Sequence, residues 1–256
     1  MKTKRLSQTL LASAMLLYAT VGFAVPVDYL ALYTFNDGTA ADSSANNNDG
    51  TVIGGVSFVT DSVRGAVAQF AVSSGLSGID TGIDINPLAR PAVTFGGWFL
   101  HSNYGFVSKT MSHDDGGYDR TLGLDTRGGT GNEVSAFTGS GVLGSGFVPA
   151  SDSWYHAAVS YDGTSVSLFV NGALAASATD STGSSSFNLF LGANPGFEED
   201  LIGRMDDAFV FGRTLTASEI AAIYSDGFTS GSIPLPATLP LVVIGLAGLI
   251  AARRRL

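Results

Sequence analysis

Two Asx-Gly pairs divide the middle of the chain into segments of strand length. Asp162-Gly163 follows the apolar and aromatic run Trp154–Tyr161, and Asn171-Gly172 follows the next run, Ser165–Val170. Each pair supplies the positive φ angles that a two-residue type I′ turn requires. The spacing therefore predicts consecutive antiparallel strands joined by tight hairpins.

Runs of similar length continue along the chain, separated by turn-forming residues. The predicted strands are 29–35, 51–53, 67–72, 93–100, 105–109, 121–125, 134–137, 154–161, 165–170, 173–177, 187–191 and 204–211. One helix is predicted after Thr216, because Thr216 and Glu219 form a capping box ahead of the apolar residues Ile220 and Ile223. Strands at this spacing, without alternating helices, predict an all-β, two-sheet antiparallel sandwich with one short C-terminal helix.

The N-terminal residues 1–24 have the layout of a secretory signal peptide. Lys2, Lys4 and Arg5 form a basic start, the apolar stretch Leu10–Leu17 follows, and the small residue Ala24 precedes the expected cleavage point. The apolar stretch is too short to span a bilayer. We therefore predict that the protein is exported and that its mature part begins at residue 25.

Residues 230–256 combine a proline motif, an apolar run and a basic stop. The motif is Ile233, Pro234, Leu235, Pro236 and Ala237, and the stop is Arg253, Arg254 and Arg255. The run between them is shorter than the roughly 20 residues that a membrane span normally needs, so it predicts a marginal transmembrane helix. The arginines are expected to hold the C-terminus in the cytoplasm.

This three-part order resembles the PEP-CTERM sorting signals of Gram-negative bacteria, in the variant that reads Val-Pro-Leu-Pro-Ala, with Ile233 in place of the valine. The resemblance implies an inner-membrane-anchored intermediate, processing by an exosortase (a membrane cysteine protease), and release to the cell surface or the extracellular space. The chain lacks the glutamate of the commoner Pro-Glu-Pro form, which leaves the cleavage position open. A plain C-terminal membrane anchor is the alternative.

The charge of the mature part excludes nucleic acid as a partner. The chain has 13 Lys and Arg against 22 Asp and Glu. Six of the basic residues and none of the acidic ones lie in the two ends, so residues 25–232 keep 7 basic and 22 acidic residues. A phosphate backbone needs clustered Lys and Arg, which a domain this acidic does not offer.

Four motifs in order resemble laminin-G-like, concanavalin A-like jelly rolls. They are Tyr33–Gly38 with Asp42–Gly50, Trp154–Val159 with Tyr161–Gly163, Phe169–Gly172, and Gly203–Asp207 with Leu215–Ile220. The resemblance runs from about Tyr29 to Gly227 and implies one jelly-roll domain over residues 25–229. Lectins, adhesins, sugar-binding modules and glycosidases share this architecture, so the fold alone leaves the function open.

Calcium is the cofactor that the resemblance implies. In relatives of this fold a structural calcium commonly joins the opening loop to the closing strand. Carried over by motif, the ligands are Asp42, Asn47, Asp49 and Asp206. We place Asp206 on the buried strand face with Ala208, where a carboxylate is costly unless it is paired or bound to a metal; Asp207 replaces it if the strand phase differs. The alternative is that these aspartates cap turns and accept backbone hydrogen bonds.

The sequence favours a protein without enzymatic activity. A retaining glycosidase needs two carboxylates roughly 5 Å apart facing one cleft. Glu198 and Asp200 have the spacing of residues on one strand face, but they follow Asn194-Pro195-Gly196 and are typical of an exposed loop. No serine occupies the Gly-x-Ser-x-Gly elbow of a nucleophile.

Carbohydrate binding is the function that we expect. A pyranose has an apolar face and a hydroxyl edge, so its site needs an aromatic platform with polar groups at the rim. The candidates on or beside predicted loops are Tyr104, His113, Tyr118, Arg120 and Phe197, whereas Trp98 and Trp154 are expected in the core. The expected role is a lectin-like module associated with exopolysaccharide or biofilm matrix, and the alternative is an adhesin or matrix protein that binds a protein partner.

Overall fold

The computed structural model describes residues 24–71, 75–102, 107–129 and 131–228. The predicted signal peptide before Ala24, the sorting residues Ile233–Ala237 and Arg253–Arg255, and the candidate Tyr104 lie outside the described residues. Within those ranges, no helix is long and apolar enough to cross a membrane.

The described residues form fifteen strands and one helix. The elements are β1 (Ala31–Tyr33), β2 (Thr51–Ile53), β3 (Val56–Asp61), β4 (Gly65–Phe70), β5 (Gly78–Asp80), β6 (Val93–His101), β7 (Ser108–Ser112), β8 (Thr121–Asp125), β9 (Glu133–Phe137), β10 (Val142–Gly144), β11 (Tyr155–Tyr161), β12 (Ser165–Val170), β13 (Ala173–Thr179), β14 (Phe190–Leu191), β15 (Gly203–Phe211) and α1 (Ala217–Asp226). Three of them, β3, β5 and β10, were not predicted from the sequence.

The strands pair into two antiparallel sheets. Sheet 1 has the order β13-β12-β11-β6-β15-β4-β3, with β1 also paired to β15, and sheet 2 has the order β10-β9-β8-β7-β14-β5-β2. The predicted all-β sandwich with one short helix is therefore confirmed. The predicted hairpins on either side of β12 are present, since β12 pairs with both β11 and β13.

Side chains that alternate along each strand build the core between the sheets. On β11, Tyr155, Ala157, Val159 and Tyr161 all belong to this core, while Ala158 faces the opposite side of sheet 1. This is the two-residue periodicity of a strand that is buried on both faces.

Helix α1 covers the outer face of sheet 1. Its residues Ile220 and Ile223 pack with Phe209 and Phe211 of β15 in a second apolar cluster. The predicted capping box is present at its start, because the Thr216 hydroxyl accepts from the Glu219 N–H and the Glu219 carboxylate accepts from the Thr216 N–H.

The closing strand β15 departs from regular alternation at Asp207. The register of β15 against β6 shifts after Asp206, and Asp207 has a φ of 47°, which is the geometry of a β-bulge. Ala208 belongs to the core between the sheets, whereas Asp206 lies on the outer face opposite Trp98, paired with Arg64 at 2.7 Å. The predicted strand phase of Asp206 is therefore wrong, because simple alternation assumes an unbroken strand.

Tyr161 joins the two sheets through the core. Its ring stacks on Phe95 of the neighbouring strand in sheet 1, with centroids 6.0 Å apart. Its hydroxyl reaches sheet 2, where it donates to the Phe137 carbonyl at 2.9 Å and accepts from the Thr121 N–H at 3.1 Å. Burial raises the pKa of Tyr161, so the hydroxyl keeps its proton and its donor role.

Replacing Tyr161 with Phe should lower the free energy of unfolding by about 1–3 kcal/mol, because the buried Thr121 N–H loses its hydroxyl acceptor. Urea denaturation measures this change. Tyr224→Phe is the control, since Tyr224 is 39% exposed, and it should stay within about 0.5 kcal/mol of the wild type. Equal losses in the two variants would contradict a bridging role for Tyr161.

Candidate functional site

Loops beside sheet 2 enclose a cavity in which two predicted sugar contacts meet. The cavity has a volume of about 180 Å³, and Tyr118 and Phe197 line it together with the charged residues Asp114, Arg127 and Glu199. We call it the aromatic cavity. The two rings come from segments far apart in the sequence, and the fold brings them to one place.

The aromatic rings present apolar surface to this cavity in a fixed arrangement. Tyr118 has a φ of 55°, and its half-buried ring packs edge-to-face on Phe137 with centroids 5.1 Å apart. The Arg127 guanidinium lies 5.6 Å from the centroids of both rings. Phe197 follows a turn closed by its N–H to the Asn194 carbonyl and is 44% exposed. Part of the cavity wall is therefore apolar and open to solvent.

Buried charges hold Arg127 in position. Asp125 accepts from Arg127 Nε at 2.8 Å and from Nη2 at 2.5 Å, and it also accepts from the fully buried Lys109 Nζ at 2.6 Å. Burial alone would raise the pKa of Asp125, but the Arg127 hydrogen bond and the Lys109 charge outweigh it and lower the pKa to about 2. A bidentate pair of this kind fixes the guanidinium plane at the cavity wall.

Backbone hydrogen bonds shape the loop that carries Tyr118. The Asp114 carboxylate is buried and accepts from the N–H groups of Gly116 and Asp119, at 3.2 and 3.0 Å. On the other side of the cavity, Glu199 accepts from the Asn194 side chain at 2.9 Å. Hydrogen bonds within the protein therefore hold the polar rim of the cavity in place.

A larger cavity of about 650 Å³ adjoins the first, and Phe197 lines both. Its charged lining residues are Glu198 and Asp200, so we call it the acidic cavity. Asp200 Oδ2 accepts from the Ser77 N–H at 3.0 Å, and Oδ1 has no hydrogen-bond partner among the described residues. Burial raises the pKa of Asp200 to about 6.

Two other predicted sugar contacts, His113 and Arg120, lie in the interior with no exposed area. Burial lowers the pKa of His113 to about 4, which keeps its ring neutral. The Arg120 guanidinium donates to the carbonyls of Ile85, Arg90 and Pro91 at 2.7–3.2 Å. Because neither side chain reaches the surface, their predicted role as sugar contacts is corrected: both are interior residues, and Arg120 binds three backbone carbonyls.

The predicted calcium ligands Asp42 and Asp49 meet in the opening loop. Asp42 Oδ1 accepts from the N–H groups of Leu32 and Ser44, its Oδ2 accepts from the Asn48 N–H, and Asp49 Oδ1 accepts from the Asp42 N–H. Both carboxylates thus bind backbone donors, as turn-forming aspartates do.

The other two predicted ligands are placed differently. Asn47 is exposed with a φ of 56°, and the nearest charged partner of Asp206 is the cation Arg64. In the described ranges no three His, Cys, Asp or Glu side chains form a group that could hold a metal ion. Asp206 is paired with Arg64 in this arrangement, and calcium binding by the chain stays a prediction.

A family model matches residues 86–221, more than half of the 256-residue chain. The model describes the concanavalin A-like lectin/glucanases superfamily. The chain belongs to this superfamily. A comparison with curated proteins gave no match.

Several solved structures share the fold of this superfamily member. Domain 4 of AbnA, a GH43 extracellular arabinanase from Geobacillus stearothermophilus, in complex with arabinotriose, is similar with a TM-score of 0.59 and 21% identity over 77% of this chain and 98% of that domain. The binding domain of Paraclostridial Mosquitocidal Protein 1 has a TM-score of 0.57 and 16% identity, over 77% of this chain and 52% of its own length. The binding domain of botulinum neurotoxin DC, in complex with rat synaptotagmin II, has a TM-score of 0.57 and 10% identity, over 78% and 52%.

These similarities show the fold alone, because all three identities are low. The chain spans nearly the whole arabinanase domain and about half of each toxin binding domain.

Arg127 and Glu199 were not predicted as site residues from the sequence. One usable signal was present: Arg127 is one of only seven basic residues in the acidic mature part, and it lies two residues after Asp125 at the end of a predicted strand. A scarce cation beside a strand-end carboxylate predicts an ion pair at the sheet edge, where loops build sites.

The raised pKa of Asp200 predicts a pH dependence of stability. An unfolded Asp has a pKa of about 3.9. Between that pH and about 6, Asp200 is therefore protonated in the folded protein and ionised in the unfolded chain. The contribution of Asp200 to the free energy of unfolding is therefore at its maximum below about pH 4, and it is lost as the pH rises through 6. Relative to the wild type, Asp200→Asn should gain stability steadily from pH 4 to pH 7 in urea denaturation.

Asp226→Asn is the control for this pH series, because it removes the same charge from an exposed position at the end of α1. Parallel stability curves for the wild type and Asp200→Asn would show that Asp200 titrates normally in the folded protein.

Proposed function

We propose that this chain is an exported carbohydrate-binding module whose site is the aromatic cavity. The observation that carries the proposal is the meeting of Tyr118 and Phe197 with Asp114, Arg127 and Glu199 around one cavity. Aromatic rings bind the apolar face of a sugar, and carboxylate and guanidinium groups bind its hydroxyl edge.

The cavity is built in advance for such a ligand. Asp125 fixes Arg127, and the backbone hydrogen bonds to Asp114 fix the loop that carries Tyr118. A site whose polar groups are already oriented loses less conformational freedom on binding, which favours affinity for a polar ligand.

The similar fold of the arabinanase domain also supports the proposal. Its structure contains arabinotriose, so a domain of this fold binds a sugar. At 21% identity the residues of that site do not transfer to this chain, and the proposal rests on the cavity itself.

The two ends of the sequence supply the proposed setting. The signal peptide and the PEP-CTERM-like tail direct the domain through the inner membrane to the cell surface with the help of an exosortase. Exopolysaccharide of the producing cell is the carbohydrate available there, and we propose it as the ligand.

Binding of the purified full-length chain to arabinan and to the producer's exopolysaccharide tests the proposal, with calcium and with chelator. Saturable binding that soluble sugar competes away is expected. Phe197→Ala should weaken it by about fivefold to tenfold, since an aromatic contact contributes on the order of 1 kcal/mol. Leu88→Ala is the matched control, because Leu88 is 91% exposed and lines neither cavity.

Two other outcomes of the binding experiment would change the proposal. Loss of binding in chelator would tie calcium to the site. A folded protein that binds no polysaccharide but captures one defined protein partner would replace the proposal with the adhesin or matrix role.

We propose binding without hydrolysis. Glu198 and Asp200 both line the acidic cavity, but Asp200 Oδ2 is bound to the Ser77 N–H and its Oδ1 is buried. A glycosidase needs two carboxyl groups that both reach the scissile bond. Incubation with the bound polysaccharide should release no reducing ends. Steady release that disappears in Glu198→Gln would establish an enzyme instead.

A further inference from the structure

The aromatic and acidic cavities are the first two of four neighbouring cavities. The acidic cavity shares Ala71 and Ile202 with a third cavity of about 240 Å³. The third shares Ser102 and Arg204 with a fourth of about 270 Å³. Consecutive cavities therefore share lining residues, and we call the series of four cavities the long groove.

The far end of the long groove repeats the chemistry of the aromatic cavity. Half-buried Trp154 lines it, and the indole N–H donates to Asp61 Oδ1 at 3.2 Å. The other oxygen of Asp61 binds the Arg204 guanidinium at 2.5 Å. Both ends thus carry an aromatic ring beside an arginine that a buried aspartate holds in place.

Hydrogen bonds also fix Asp61 itself. Its Oδ1 accepts from the N–H groups of Val63 and Arg64, at 2.8 and 3.0 Å. The turn after β3 is therefore rigidly attached to the groove wall, and the orientation of Trp154 is set by the same carboxylate.

The long groove carries an excess of negative charge. Its acidic lining residues are Asp61, Asp114, Asp152, Glu198, Glu199 and Asp200. The cations that line it are Arg127 and Arg204, and each is already paired with a buried aspartate. Such a surface repels an anionic chain and favours an uncharged one, whose hydroxyl groups can donate to exposed carboxylates such as Glu198.

We propose that the long groove binds an internal stretch of an uncharged polysaccharide, with sugar units stacked at both Phe197 and Trp154 and the chain continuing past each end. This inference rests on the proposed carbohydrate binding and adds the class and the length of the ligand. A single sugar unit fills only one of the connected cavities, whereas a chain uses the platforms at both ends.

A length series tests the inference with the full-length protein. Linear, neutral arabino-, xylo- and gluco-oligosaccharides are titrated from disaccharide to octasaccharide. For whichever series binds, affinity should rise by at least about tenfold along it. Trp154→Ala should remove this gain, because a long chain then keeps only one of its two platforms, while Phe197→Ala should also weaken disaccharide binding at the aromatic cavity.

A second variant covers the case in which Trp154→Ala does not fold. Ser102 is exposed and lines the middle of the groove, so Ser102→Met should obstruct long chains only. Ser177→Met, on the exposed edge strand β13, is its matched control.

The charge of the ligand is tested with one octasaccharide before and after oxidation of its primary hydroxyls to carboxylates. The oxidised form should bind at least about tenfold more weakly at low salt, and added salt should reduce the difference. Equal or tighter binding of the oxidised form would overturn the uncharged class.

The length series separates failure of this inference from failure of the proposed function. Equal affinity for disaccharide and octasaccharide would overturn chain binding and leave the sugar site in place. Absence of binding to every oligosaccharide and to the exopolysaccharide would reject both.

Discussion

Burial of the apolar faces of two sheets against each other is the constraint on which the rest of this structure depends. It sets the alternation along β11, and it leaves the loops at the sheet ends to satisfy their own polar groups. Aspartates do this repeatedly: Asp42, Asp61 and Asp114 each accept hydrogen bonds from backbone N–H groups of their loops. The loops that line the groove beside strand residues are therefore held in shape by the chain's own hydrogen bonds.

The sequence predicts most of this architecture because the decisive signals are local. Asx-Gly turns, strand-length runs and the capping box at Thr216 need no tertiary information, and all three are present in the structure. The missed strands β3 and β10 are half-exposed, and β5 has three residues. Such strands depend on the neighbours with which they pair, so their own pattern is weak.

The site is harder to predict because its residues come together only in the fold. Tyr118 and Phe197 are suited to sugar contacts, and both line the aromatic cavity. Arg120 is also a residue type that binds sugars, but it is buried and donates to three backbone carbonyls. Loop position alone does not distinguish these cases. The strand phase of Asp206 was wrong for another reason, since one inserted residue at Asp207 reverses the face of every position before it.

The ring of Phe197 is a wall common to two cavities. In the proposed complex, a sugar unit that packs against one side of the ring also restricts the motion of the ring for the unit on the other side. The first sugar unit then causes the loss of side-chain entropy of Phe197, and the second unit binds a ring that is already ordered. Neighbouring sugar units should therefore bind cooperatively.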